Sequence, residues 1–280
     1  MTRRNLFIDG KKTPSLRGHT SKVFNPATGE ILADAADARS EDIDIAVRSS
    51  DRAFAEGPWR SINSRERTRL LLKFSQLIRE NVKDLADMET KNVGKPIREA
   101  RDEVNLAADC FEYYAGAINK VGGQTIPVAA PGVSMTFREP IGVCGLILPW
   151  NFPIVIASWK IAPALAMGNT VVVKPAEQTP LTALRLGELA VEAGIPAGVL
   201  NIVPGRGEVA GEALVKHPLV RKISFTGSTE VGRKVMKLAA DDIKRVTLEL
   251  GGKSANIVFA DADFEKALPG AVWSVLGNAG

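Results

Sequence analysis

The sequence predicts an α/β fold built on a doubly wound parallel sheet, and three observations predict it. From Ile141 onward, short apolar runs alternate with helical segments of roughly ten to fifteen residues, the usual size of a crossover between parallel strands. The short, mainly apolar runs at 142–148, 170–173, 199–203 and 222–225 read as buried strands. Each run is followed by a compact turn rich in polar residues, proline or glycine, and such sheets bind ligands at the carboxyl ends of their strands.

The first forty residues read as short strands and turns, with strong turn chemistry at Asn25-Pro26-Ala27-Thr28-Gly29-Glu30. Ser40 is expected to cap a first helix, with Glu41 and Asp42 favourable at its positive end. In that helix Ile43, Ala46, Val47, Ser50 and Phe54 recur at helical spacing, and Gly57-Pro58 ends the run. A second helix places Leu70, Leu71, Phe74, Leu77 and Ile78 on one face. A third, past Pro96, does the same with Val104, Ala107, Cys110, Phe111, Tyr114 and Ile118. Residues 122–140 are rich in glycine and proline around the β-type run Val133–Phe137, which predicts an extended hairpin leaving the domain body.

Composition bounds the function. The 280 residues suffice for one large domain or two smaller ones. The excess of 36 basic over 32 acidic residues is small and spread along the chain, so a nucleic-acid partner is not expected. Cys110 and Cys144 are the only cysteines, too few for a disulfide framework, which points to a reducing compartment and hence the cytoplasm. His19 and His217 are the only histidines, and no cluster has metal-ligand spacing, so no metal is expected. Lys160, Pro163, Gly168 and Asn169 interrupt the most apolar stretch, 154–173, so it reads as a buried helix and strand, with no membrane partner.

The turns carry the chemistry. Pro149-Trp150-Asn151-Phe152-Pro153 holds one amide in a rigid turn with two aromatic anchors. Asn151 either caps the next helix or donates to a developing oxyanion. Lys174 and Glu177 follow the second strand, where they form a surface ion pair or grip the hydroxyls of a ribose. Pro204-Gly205-Arg206-Gly207, with Gly211 beyond, nearly matches a glycine fingerprint, but its third glycine falls one residue late. Phe225-Thr226-Gly227-Ser228-Thr229-Glu230-Val231-Gly232 opens a helix, either as a simple Ser/Thr cap or as a pyrophosphate cradle. Glu249, between Leu248 and Leu250 and before Gly251-Gly252-Lys253, reads as a strand-end salt-bridge partner or as a partly desolvated general base.

In order and spacing, these turns together resemble the aldehyde dehydrogenase superfamily. The likeness covers the whole chain and includes Asn25–Glu30 and Gly94-Lys95-Pro96. It implies a Rossmann-like cofactor domain and NAD(P)-dependent oxidation of an aldehyde to a carboxylic acid through a cysteine-bound acyl-enzyme. It implies Asn151 as oxyanion donor and Glu249 as general base. The cofactor NAD, with NADP as a possible substitute, would contact Leu148, Pro149, Trp150, Asn151, Lys174, Glu177, Gly207, Gly211, Phe225, Thr226, Gly227, Ser228, Val231, Gly232, Glu249, Leu250 and Gly251. Glu177 should favour NAD, because a carboxylate repels a 2′-phosphate.

The resemblance also divides the chain. Residues 1–121 and 141–250 would form the NAD(P)-binding domain, 122–140 an oligomerisation hairpin, and 251–280 the start of a catalytic domain. A homodimer or homotetramer is implied. The family's nucleophile follows a Gly-Gln pair preceded by Asn, and this chain ends Gly277-Asn278-Ala279-Gly280, so it is expected to stop just short of that cysteine, as part of a longer dehydrogenase. Cys110 and Cys144 read as inert core residues. The run 255–259 is expected to be a strand with an exposed edge. The alternative is a non-catalytic dinucleotide-binding or structural module.

Overall fold

The computed structural model describes residues 2–278. Ala279 and Gly280, the end of the Gly277–Gly280 reading, lie outside them. Five short strands come first: β1 (Thr2–Arg4), β2 (Leu6–Ile8), β3 (Lys11–Thr13), β4 (Thr20–Phe24) and β5 (Ile31–Ala36). Four helices follow: α1 (Ser40–Ala55), α2 (Ser64–Glu80), α3 (Val82–Val93) and α4 (Ile97–Ala117). The alternating region then runs β8 (Val143–Ile147), α5 (Pro153–Ala166), β9 (Thr170–Lys174), α6 (Leu181–Ala193), β10 (Leu200–Ile202), α7 (Glu212–Lys216), β11 (Val220–Gly227), α8 (Thr229–Ala240) and β12 (Arg245–Leu250). Before it stands a hairpin of β6 (Thr125–Ile126) and β7 (Ser134–Met135), and after it α9 (Phe264–Leu276).

The main sheet has the order β12-β11-β8-β9-β10-β2-β3. The strands from β12 to β10 are parallel, and β2 and β3 extend the sheet antiparallel. Helices cover both faces, which is why β8 is apolar throughout and β9 carries three consecutive valines. Alternation divides them between two cores: Cys144, Leu146, Val171 and Val173 join the core with α2, α4, α5 and α6. Val143, Ile147 and Val172 join the core with α1, α7 and α8. The sheet and its helical cover are thus the doubly wound arrangement the alternation predicted. A second sheet, β1-β5-β4, lies apart. No helix among the described residues is long and apolar enough to cross a membrane.

Several local expectations change. Arg39, not Ser40, is the N-cap of α1. The Asp42 carboxylate accepts the Arg39 N–H at 2.9 Å, so the closing side chain is inside the helix rather than before it. Helix α3 was not expected; a single residue, Asn81, separates it from α2, and Gly94 ends it in a left-handed conformation, φ 87°. Trp150 does not anchor its turn: it is 59% exposed. Residues 255–259 form no strand. A strand needs a neighbour for its backbone groups, none pairs with it among the described residues, and Ile257 and Phe259 are exposed.

Candidate functional site

Strand register brings the turns to one edge. Ile147 pairs with Lys174 on one side and Phe225 on the other, and Gly227 pairs with Leu250. The strands therefore end nearly level. Strand order reverses at β8, with β9 and β10 to one side and β11 and β12 to the other. A crevice opens at such a switch point, and here it is a cleft of about 750 Å³. Its lining contains every residue implied by the resemblance except Gly232. Gly232 lies on α8, where an added Cβ would come within 2.6 Å of Leu250 Cδ2, so it lets helix and strand approach.

At one end sits Lys174, buried, with its ammonium donating to the carbonyls of Pro175 and Gly205, each at 2.9 Å. Burial lowers its pKa, while Glu177 and Asp37 oppose that shift. Glu177 lies 3.9 Å from the ammonium and is half-exposed to the cleft. A fixed ammonium beside a free carboxylate presents a donor and an acceptor together, which suits a vicinal diol. Val215, Val235 and Leu238 add an apolar patch to the same cleft.

The near-fingerprint has a structural explanation. Gly207–Gly211 forms a π turn, in which the Arg206 carbonyl accepts from Gly211 at 3.4 Å. A π turn takes one residue more than an α turn, and that residue delays the third glycine. An added Cβ at Gly207 meets nothing within 4 Å, so the backbone faces open cleft there.

Ser228 caps α8, its Oγ accepting from Val231 N at 3.3 Å. The cap and the cradle are not exclusive, because the remaining first-turn N–H groups lack helical acceptors and sit at the positive end of the dipole. Gly227 is required by packing: a Cβ would lie 2.5 Å from the ring of Phe225.

Asn151 does not cap α5. The cap is Phe152, with no side-chain bond of its own; instead the Glu89 carboxylate, from α3, accepts Ile154 N at 3.0 Å. The Asn151 carbonyl accepts from Lys95 Nζ at 3.0 Å, and no protein hydrogen bond engages its side-chain amide among the described residues. That amide is left available to the cleft it lines.

Glu249 departs from expectation. It is exposed, because β12 is the sheet's edge strand and its side chain lies on the side away from Leu248, which packs on the core. The flanking leucines do not desolvate it. Sequence reading missed a charged residue that shares a cavity with it, Lys160. Lys160 lines a second cavity together with Glu249 and Thr226, which also line the first. Its ammonium donates to Ser224 Oγ at 2.8 Å. Burial pushes its pKa down to about 8, against the raising effect of the Glu249 charge. A lysine so placed exchanges its proton near neutral pH. Its only sequence signal was a charge inside an apolar helix, which read as an interruption.

Neither thiol is activated. Cys110 is half-buried and Cys144 buried, and burial pushes their pKa values up to about 11 and about 12. No group of metal-ligating side chains occurs among the described residues.

The family model described as "Aldehyde dehydrogenase family" matches residues 13–280. The chain belongs to the aldehyde dehydrogenase family. Among similar aldehyde dehydrogenase relatives, the candidate enzyme DhaS of Bacillus subtilis (strain 168) is 52% identical over 99% of this chain and 56% of its own length. Retinal dehydrogenase 2 of Homo sapiens is 49% identical over 98% of this chain and 54% of its own. A solved NAD+ complex of an aldehyde dehydrogenase from Bacillus cereus is 45% identical, with a TM-score of 0.96 over 99% of this chain and 56% of that one. The chain spans about half the length of the curated relatives it matches.

Proposed function

We propose that this chain supplies the dinucleotide cleft, the oxyanion donor and the general base of an NAD-linked oxidation of aldehydes to carboxylic acids. The supporting observation is the cleft at the switch point, which Lys174, Glu177, Asn151 and Glu249 all line, with Lys174 and Glu249 on strands to opposite sides of β8. Its residues suit a dinucleotide. The apolar patch of Val215 and Leu238 suits a purine, and the Lys174–Glu177 pair suits a ribose diol. The α8 N-terminus suits a pyrophosphate. When bound, NAD supplies the hydride acceptor.

The chain's own residues then do the following. The Asn151 amide donates to the oxyanion that forms when a thiolate adds to the aldehyde carbonyl, a contact worth roughly 3 kcal/mol in the transition state. Glu249 takes a proton from the water that hydrolyses the acyl-enzyme. Lys160, near its own pKa and sharing a cavity with Glu249, passes that proton on. The thiolate comes from neither Cys110 nor Cys144. In this reading residues 1–121 and 141–250 form the NAD(P)-binding domain. Residues 122–140 form an assembly hairpin of a homodimer or homotetramer, and 251–280 begin the catalytic domain. The exposure of the hairpin and the lack of any buried side chain on α9 support that division.

Calorimetric titration tests the cofactor reading. The chain should bind NAD more tightly than NADP, and Glu177→Gln should narrow that ratio about tenfold, since one charge repulsion is removed. Absence of NAD binding, or an unchanged ratio, would overturn the assignment.

A further inference from the structure

Three polar side chains at three-residue spacing, Glu89 and Asn92 on α3 and Lys95 just beyond it, are buried, exposed by 0%, 3% and 1%. Asn92 and Lys95 each reach a loop of the cleft, and Glu89 reaches the first turns of the helices that follow those loops. Asn92 Nδ2 donates to the Gln178 carbonyl at 2.8 Å, and its Oδ1 accepts from Leu181 N at 3.4 Å. Glu89 accepts from Thr182 Oγ1 at 2.8 Å, at the start of α6, and from Ile154 N at 3.0 Å, at the start of α5. Lys95 Nζ donates to both carboxylate oxygens of Glu103, at 2.8 and 2.6 Å, and to the Asn151 carbonyl at 3.0 Å. It also lies 4.4 Å from the centre of the Phe152 ring.

Burying such groups costs stability that apolar side chains would not. What these groups add is fixed geometry. From one short stretch of chain, they tie down both the loop that carries Asn151 and the loop that carries Glu177. We infer that Glu89, Asn92 and Lys95 are positioning residues, which set the separation between the two ends of the cleft by holding the 149–153 and 175–180 loops to a common brace. Asn92 acts on the Glu177 end, Lys95 on the Asn151 end, and Glu89 links them. The inference rests on the nucleotide reading of the cleft.

Two probes separate the ends. AMP occupies only the adenosine end, whereas NADH spans the cleft and its nicotinamide fluorescence responds to the far end. The first variant is Asn92→Leu. The second is Lys95→Met with Glu103→Leu, made together because removing Lys95 alone would strand a buried carboxylate. Melting temperatures are recorded for each. Asn92→Leu should weaken AMP about tenfold, the effect of a lost hydrogen bond on a loop. The double variant should keep AMP affinity within about twofold and lose NADH affinity about tenfold, with loss of the nicotinamide emission gain. Wild-type affinity for both ligands in both variants overturns the inference, and so do losses of both ligands that run parallel to the fall in melting temperature. A wild-type chain that binds neither probe overturns the nucleotide reading itself.

Discussion

Glu89 is a carboxylate sealed from water, and its titration should be visible in the stability of the whole chain. Burial raises its pKa from 4.5 to about 7, against the Ile154 N–H, the Lys95 charge and the Thr182 hydroxyl, all of which favour the anion. Between those two pH values the folded state holds a proton that the unfolded state has released. Its contribution is therefore full below pH 4.5 and is lost as the pH rises through 7. Glu89→Gln cannot ionise, so the stability of wild type relative to this variant should fall by about 3 kcal/mol between pH 4.5 and pH 8. Urea denaturation across that range reads the difference, and a flat difference would refute it. Residues such as Asn151, Lys174 and Glu177 were legible in the sequence because each is a polar group just after an apolar run. Glu89 and Lys160 were not. A charge inside a helix has no periodic signature that separates a buried, hydrogen-bonded side chain from a solvated one, and only the packing of distant elements reveals which it is.

At the scale of elements, the junction of β11 and α8 leaves room for no side chain at 227. The Phe225 ring there is buried, so a new methyl would have to displace it. Gly227→Ala should cost about 1–3 kcal/mol by overpacking and should also disturb the turn that presents Ser228. Thermal denaturation checks the first effect and nucleotide titration the second; unchanged values would show that Phe225 can move. The inner strands were readable because helices bury both of their faces, which leaves short, mainly apolar runs such as Val143–Ile147 and residues 171–173. Helix α3 was not, because its buried face includes Glu89 and Asn92, so the apolar stripe that marks an amphipathic helix is absent. The π turn was visible only as a glycine in the wrong place. The strand expected at 255–259 shows the converse: β-type composition gives a strand only where a neighbour offers its backbone.

At the scale of the molecule, the proposed oxidation divides its chemistry. In the proposed reading the oxyanion donor and the base lie on this chain, whereas its two thiols are half-buried (Cys110) and buried (Cys144). Iodoacetamide at pH 8 should alkylate Cys110 and Cys144 at least about tenfold more slowly in the folded chain than in urea, since the thiolate is the reactive form. Rapid labelling of either thiol in the folded state would reopen it as a nucleophile. The sheet order carries one more consequence. β8 lies between β9, which the chain makes soon afterwards, and β11, which it makes two crossovers later. During synthesis, one flank of β8 must therefore wait, its peptide groups unclaimed, while β9 and β10 are already in place. An unpaired flank of that kind invites strands from other chains. The geometry that creates a crevice in the finished protein thus gives the growing one an interval of vulnerability, which ends only when β11 arrives.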